Sequence, residues 1–169
     1  MAAQADLTIL LCDHVGLTPL ELSSAKRLAV SLIAKAGIRV RFAQCGEPAD
    51  VREIRMSIEN KVPERSRGAL GYALPYTERA NQATLNYQRI VKTSPARPEM
   101  LLGVVIAHEL GHLLFRSGEH GEGLMKAMWT PADVRAMSEN RIVFSAEQAA
   151  GLRAGFEARV AGTLLASAR

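Results

Sequence analysis

The chain has 169 residues, of which 48% are hydrophobic and 22% are charged, so it can bury a core as one globular domain spanning residues 1–169. Its net charge of +4 comes from 21 basic and 17 acidic residues scattered along the chain, which argues against a nucleic-acid partner. No apolar stretch approaches the roughly 20 residues that cross a bilayer, so we expect no membrane span. The composition leaves the oligomeric state open.

The N-terminal region leaves the cellular location undecided. The apolar run at residues 7–12 is too short for a signal peptide and is flanked by Asp6 and Asp13. The chain is therefore cytoplasmic as written, or periplasmic or secreted if a leader precedes residue 1. Cys12 and Cys45 fit either location, as one disulfide in an exported protein or as two buried thiols in a cytosolic one.

The first third of the chain predicts a β-α-β unit. Residues 7–12 are apolar on both faces, as in a buried parallel strand, and residues 38–43 alternate as a strand near a sheet edge does. Between them, Thr18-Pro19-Leu20-Glu21 predicts a capped helix start and Gly37 the helix end. A crossover of this length predicts parallel pairing of the two strands.

The remaining segments predict a small sheet followed by helices. An alternating strand is expected at residues 53–58, a short extended piece at 70–74, and a polar strand at 83–90 that suits an exposed edge. Residues 98–116 predict a helix that is apolar nearly all round and therefore buried. Shorter signals predict helices after Thr130 and Ser145. The fold class is thus α+β with an α/β-like N-terminal part: a small mixed sheet with an antiparallel edge strand, one long buried helix and C-terminal helices.

The buried helix carries the run His108-Glu109-Leu110-Gly111-His112. Histidines four positions apart leave the same helix face with Cβ atoms about 5–6 Å apart, so both rings can reach one Zn²⁺ ion at roughly 2.0–2.1 Å. Glu109 is then placed to act as general base on a metal-activated water rather than as a ligand. Gly111 costs about 0.5–1 kcal/mol relative to Ala inside a helix, which predicts close backbone approach by a neighbouring segment.

An ordinary structural role is the alternative for these side chains. A lone histidine on an apolar helix is more often a hydrogen-bonded core residue than a metal ligand. Here, however, three titratable side chains share one apolar helix, and burying them without a metal or paired partners would cost several kcal/mol. The pattern therefore favours a metal site over three unrelated core residues.

A catalytic zinc ion usually takes three protein ligands, so a third ligand is needed. His120 is the leading candidate, because it follows a turn at Ser117-Gly118 where the chain can double back. A carboxylate on a later segment is the rival, with Glu139 best placed, followed by Glu122 and Glu147. The remaining histidine, His14, ends the first strand and is expected to be structural or exposed.

On these residues the chain resembles the zincin metallopeptidases, and within them the metzincin branch. The likeness rests on the His-Glu-x-x-His run, a third histidine after a Gly turn, and Met125 in Gly123-Leu124-Met125. The resemblance implies that Met125 forms the hydrophobic Met-turn floor beneath the metal. The chain is also similar to little-characterised bacterial zincin-like proteins, through its β-α-β unit, residues 70–75, a Tyr-bearing strand and the long helix.

The sequence departs from the long metzincin motif. That motif has Gly three positions and His six positions after the second histidine, whereas this chain has Phe115 and Gly118 there. His120 is therefore carried over by residue type and order, not by spacing, and the turn that leads to it must differ in shape.

The resemblance implies a hydrolase: a zinc metalloprotease that cleaves a peptide or protein substrate by a water-mediated attack, with Glu109 as base. It also implies that the substrate lies extended along the edge strand, here taken as residues 83–90, and that one of Tyr72, Tyr76 or Tyr87 could stabilise the oxyanion. Two alternatives stay open. One is a gluzincin-like intracellular regulatory peptidase with Glu139 as third ligand, and the other is a metal-bearing binding module that has lost catalysis.

Overall fold

The computed structural model describes residues 6–46, 53–78 and 80–167, with side chains described up to residue 162. The described strands are β1 (Leu7–Asp13), β2 (Val40–Gln44), β3 (Ile54–Glu59), β4 (Gly71–Ala73) and β5 (Gln82–Asn86). The described helices are α1 (Pro19–Lys35), α2 (Tyr87–Thr93), α3 (Pro98–Phe115), α4 (Pro131–Ser138) and α5 (Ala146–Ser167), with single 3-10 turns at Glu64–Ser66 and Gly123–Met125. This arrangement confirms the α+β class.

The five described strands form one mixed sheet in the order β2-β1-β3-β5-β4. Strands β2, β1, β3 and β5 are parallel to one another, while β4 pairs with β5 in antiparallel register. The parallel pairing across α1 and the antiparallel edge strand were both predicted. Alternate β1 residues Leu7, Ile9 and Leu11 join the main core between the sheet and the helices.

The prediction of an edge strand at residues 83–90 is wrong in two respects: the strand ends earlier, and it lies inside the sheet. Strand β5 stops at Asn86, whose side-chain oxygen accepts a hydrogen bond from the Arg89 N–H at 3.2 Å and starts helix α2. The polar residues of this stretch belong to a helix cap and an exposed helix face, not to an exposed strand. The edge is formed instead by β4, within the segment that the sequence predicts only as a short extended piece.

Helices α1 and α3 have the ends that the sequence predicts. Thr18 and Glu21 form the reciprocal capping box of α1, and Gly37 follows the helix with a φ of +83°. Every residue at positions 100–114 of α3 is buried. By length and composition α3 could span a membrane, but 83% of that stretch is buried inside the protein, which is the pattern of a core helix.

Cys12 and Cys45 form a disulfide that joins the end of β1 to the residue after β2. Of the two alternatives that the sequence leaves open for these thiols, the structure has the bonded one. Disulfides persist mainly in oxidising compartments.

Candidate metal centre

Three histidine side chains converge beside α3. His108 and His112 lie one turn apart on the helix and are buried, and the exposed His120 approaches them from the loop that follows. One ring nitrogen of each histidine can be chosen so that the three lie within 4.8 Å of one another. The two Nε2 atoms of His108 and His112 are only 3.1 Å apart. These three side chains could therefore hold a metal ion, as the sequence predicts.

Backbone carbonyl groups fix the tautomer of both helix histidines. Nδ1 of His108 donates to the Leu124 carbonyl at 2.8 Å, and Nδ1 of His112 donates to the Ser117 carbonyl, also at 2.8 Å. In each neutral ring Nε2 then carries a lone pair. Two lone pairs that face each other at 3.1 Å repel, and a shared cation removes that repulsion. Two nitrogens bound tetrahedrally to one zinc ion would lie roughly 3.3 Å apart, so the observed spacing fits the group.

Burial holds the helix histidines in the form that binds metals. The pKa of His108 is lowered to about 4, mainly by burial; the neighbouring His112 and His120 also lower it, while the hydrogen bond to the Leu124 carbonyl acts in the opposite direction. The pKa of His112 is also lowered, again mainly by burial. Both rings are therefore neutral at pH 7, and a metal ion need not displace a proton from either Nε2.

The chain reverses after α3 and brings His120 back to the helix. Arg116 ends α3 in the left-handed conformation, with φ 52° and ψ 40°, and its guanidinium donates to the carbonyls of Thr77 and Glu78. The Gly118 N–H donates to the Tyr76 hydroxyl at 2.9 Å. These bonds anchor the turn to the segment after β4, which explains how a histidine at an unusual spacing reaches the cluster.

The rival ligands do not reach the centre. Glu139 pairs with Arg141 at the end of α4, and neither Glu122 nor Glu147 belongs to the histidine cluster. His14 is exposed near Glu59, as predicted. A metal site needs at least three His, Cys, Asp or Glu side chains that lie close together. In residues 6–46, 53–78 and 80–167, the three histidines are the one group that meets this condition.

Glu109 lies beside the cluster in an unusual environment. It is 3% exposed, and its Oε2 atom has no hydrogen-bond partner within the described residues. Burial raises the pKa of its carboxyl to about 8. Strand β4 packs directly against it, because a Cβ atom on Gly71 would lie 2.7 Å from Glu109 Oε1. An orphaned buried carboxylate next to three histidines is a strong indication of a functional group.

Met125 packs against α3 at the level of the cluster. A Cβ atom on Gly111 would lie 2.5 Å from Met125 Sδ, so the glycine makes room for the thioether. The neighbouring residue Leu124 supplies the carbonyl that orients His108. The close approach predicted at Gly111 is thus confirmed, but the group that approaches is the side chain of Met125 in the Gly123–Met125 turn and not a backbone.

The cluster opens into a cleft of about 420 Å³. Residues 68–73, which include β4, line it together with the segment 126–129, and His108, Glu109, His112 and His120 line it as well. Trp129 stands edge-on to His108 with ring centroids 5.2 Å apart. Trp129 is the one tryptophan in the chain, and no sequence motif predicts its place beside the histidines. Met128 beside it is 83% exposed.

The three tyrosines considered for oxyanion stabilisation lie in different places. Tyr72 of β4 lines the cleft. Tyr76 accepts the hydrogen bond from Gly118 and is largely exposed. Tyr87 is the first residue of α2 and is not among the residues that line the cleft.

No protein-family model and no curated protein matches the chain. The centre is therefore characterised by its own geometry. That geometry provides a group of three histidines that could hold a metal ion, and it does not fix which metal.

Proposed function

We propose that this protein is a zinc-dependent peptidase whose centre is His108, His112 and His120. One observation supports the proposal best: two buried imidazoles are oriented by carbonyls so that their free Nε2 atoms face each other, with an orphaned carboxylate one residue away. Three histidines with a vertex left open are a common ligand set of catalytic zinc, whereas structural zinc sites usually have four protein ligands.

The three histidines would hold the ion, and the ion would supply Lewis-acid chemistry by lowering the pKa of a water and polarising a carbonyl. Glu109 would take a proton from the attacking water and deliver it to the leaving nitrogen. Glu109 is buried, and among the described residues no hydrogen bond ties its Oε2 atom to the protein. A cation beside Glu109 favours its ionised form, which is the form a base requires.

The free edge of β4 is the best position for an extended substrate. One edge of β4 pairs with β5, and residues 71–73 line the cleft beside the histidines. A peptide that adds to this edge would gain backbone hydrogen bonds and pass the metal centre. This replaces the assignment of that role to residues 83–90, because β5 lies inside the sheet.

Metal content tests the first half of the proposal. The purified protein is expected to contain about one zinc per chain by elemental analysis, and His108→Ala to contain almost none. The matched control is His14→Ala, which removes an exposed histidine outside the cluster and should keep the metal. Stoichiometric zinc in His108→Ala would exclude the assigned ligand.

Turnover tests the second half. Glu109→Gln has nearly the same shape, so it should retain zinc and lose cleavage of a quenched fluorescent peptide library by about 10²–10⁴-fold, the usual contribution of a general base. Undiminished cleavage by this variant would exclude Glu109 as the base. Zinc in the wild-type protein with no cleavage of any library peptide would favour the metal-bearing binding module instead.

A further inference from the structure

A second pocket adjoins the metal cleft and is basic. It has a volume of about 490 Å³, and its lining contains four cationic residues: Lys61, Arg67, Arg89 and Lys92. The other lining residues are Asn60, Val62, Asn86 and Gln88, so no acidic and no aromatic side chain lines the pocket. Within the described residues Arg67 pairs at 3.5 Å with the exposed Glu64, whereas Lys61, Arg89 and Lys92 form no ion pair.

One buried residue fixes two walls of this basic pocket. Asn86 is 4% exposed, and its side-chain amide donates to the backbone carbonyls of Arg67 and Ala69, at 3.4 and 3.1 Å. Its oxygen accepts the Arg89 N–H and so begins α2 beside the same segment. The backbones that carry Arg67 and Arg89 are thus held in fixed positions relative to each other, which reduces the ordering cost of binding a shared anion.

The basic pocket and the metal cleft share one lining residue. Arg89 lines both, and Gly68, which lines the cleft, directly follows Arg67 of the pocket. The junction lies at the end of the cleft where β4 begins. A peptide along β4 that extends past Gly71 in this direction would therefore carry its next side chains into a concentration of positive charge.

We propose that the basic pocket binds acidic side chains of the peptide in the cleft, so that the protein selects substrates with Asp or Glu beyond the N-terminal end of β4. The selection of substrates rests on the function proposed above, but the binding of acidic peptides does not. Arg89 can bind a carboxylate with two parallel N–H groups, and the lining amides can donate as well. A single-stranded nucleic acid is the less suitable occupant, because no aromatic side chain in the lining could stack on a base.

Binding tests this directly, without any need for turnover. Two fluorescein-labelled peptides of equal length, one rich in Glu and one with Gln at the same positions, would be titrated against zinc-loaded Glu109→Gln by fluorescence anisotropy. The Glu peptide is expected to bind at least about tenfold more tightly in low salt, and the preference should shrink as salt screens the charges. Equal affinity for the two peptides would overturn the proposal.

Charge reversal tests whether the basic pocket causes the preference for the Glu peptide. Adding Arg89→Glu and Lys92→Glu should remove the preference for the Glu peptide, because both side chains are exposed and their loss leaves the Asn86 cap in place. Arg27→Glu is the matched control: it reverses an exposed charge on α1 that lines neither cavity. A preference for the Glu peptide that survives charge reversal at Arg89 and Lys92 would overturn the assignment. So would an oligothymidylate that displaces the labelled Glu peptide at a lower concentration than the unlabelled Glu peptide does.

Cleavage separates this inference from the proposed function. Libraries with one position fixed as Glu, Gln or Lys should be cleaved by the wild-type protein in the order Glu, Gln, Lys, and the order should disappear in the charge-reversed protein. If no library is cleaved but Arg89-dependent binding of the Glu peptide persists, the peptidase proposal fails while the acidic-peptide pocket is supported. If all three libraries are cleaved equally, the peptidase proposal is supported and the selection of acidic substrates is refuted.

Discussion

Gly111 lies directly against the thioether of Met125. A Cβ atom at position 111 would be 2.5 Å from Met125 Sδ and 3.0 Å from its Cε, both far inside van der Waals contact. Met125 is 2% exposed, so its side chain cannot move without displacing other core residues. The helix that carries the histidines and the turn beneath it therefore depend on each other for their positions.

This contact predicts that Gly111→Ala destabilises the protein. Alanine improves helix propensity by about 0.5–1 kcal/mol, but an extra methyl group in a packed core typically costs about 1–3 kcal/mol. The net effect should be a lower Tm and weaker zinc binding, measured by circular dichroism with and without zinc. Loss of stability without any change in metal affinity would show that Met125 does not support the centre.

Two further variants control for that result. Gly162→Ala makes the same change on α5, where no atom lies within 4 Å of the added Cβ, and it should leave the Tm unchanged or raise it. Met125→Ala in the Gly111→Ala background removes the colliding atoms. Its effect should be smaller than the sum of the two single effects, because the residues are in contact.

The elements that the sequence predicts correctly are those whose signals are local. The α1 capping box needs only Thr18 and Glu21, three positions apart, and the burial of α3 follows from its apolar composition. The pairing of His108 with His112 follows from helix geometry alone. His120 could be proposed because a turn signal preceded it, although its hydrogen-bonded anchor at Tyr76 is 42 residues from Gly118.

The errors concern contacts between distant residues. The polar residue Asn86 favoured an exposed edge strand, but its amide is buried by bonds to Arg67 and Ala69, 19 and 17 positions earlier. Nothing local indicates those partners. The same reason explains why β4 was not recognised as the edge strand beside Glu109, and why Trp129 was missed although it stands against His108.

The third ligand can be identified by comparing two variants. His120→Ala should weaken zinc binding by more than about a hundredfold, because even the loss of an outer-shell partner typically costs 10–100-fold. Glu139→Ala should bind zinc as the wild type does, since Glu139 pairs with Arg141 and lies outside the cluster. Competition with a chromogenic chelator measures both affinities. The reverse pattern would restore the gluzincin-like alternative.

Trp129 provides an optical signal for metal binding. It is the one tryptophan of the chain, it stands edge-on to His108 at 5.2 Å, and its buried Nε1 has no hydrogen-bond partner among the described residues. Adding Co²⁺ to chelator-treated protein should quench the Trp129 fluorescence, and the quenching should saturate at about one equivalent of Co²⁺. The reason is that a paramagnetic ion bound by His108 would lie beside the indole. His108→Ala should abolish the quenching. Stoichiometric Co²⁺ by elemental analysis with unchanged emission would place the ion elsewhere.

The Asp133 carboxylate joins α4 to the loop that carries Met125. Because this contact depends on the charge of Asp133, we expect the stability of the protein to fall at acid pH. Lys126 Nζ donates to both Asp133 oxygens at 2.9 and 3.0 Å, and the Thr130 N–H and hydroxyl donate to Asp133 Oδ2. The Lys126 bonds, followed by those from Thr130, lower the pKa of Asp133 from 3.8 to about 2. Because the folded pKa is below the unfolded one, this stabilisation is complete above about pH 4 and is lost as the pH falls towards 2.

Asp133→Asn removes that charge and nearly keeps the shape. Urea unfolding at several pH values should show the variant less stable than the wild type at pH 7, with a difference that disappears as the pH falls from about 4 to 2. In a Lys126→Met background the strongest donor to Asp133 is gone, so the same substitution should have a smaller effect at pH 7. A difference between Asp133→Asn and the wild type that is constant from pH 7 to pH 2 would show that shape, and not the charge of Asp133, stabilises the contact between this loop and α4.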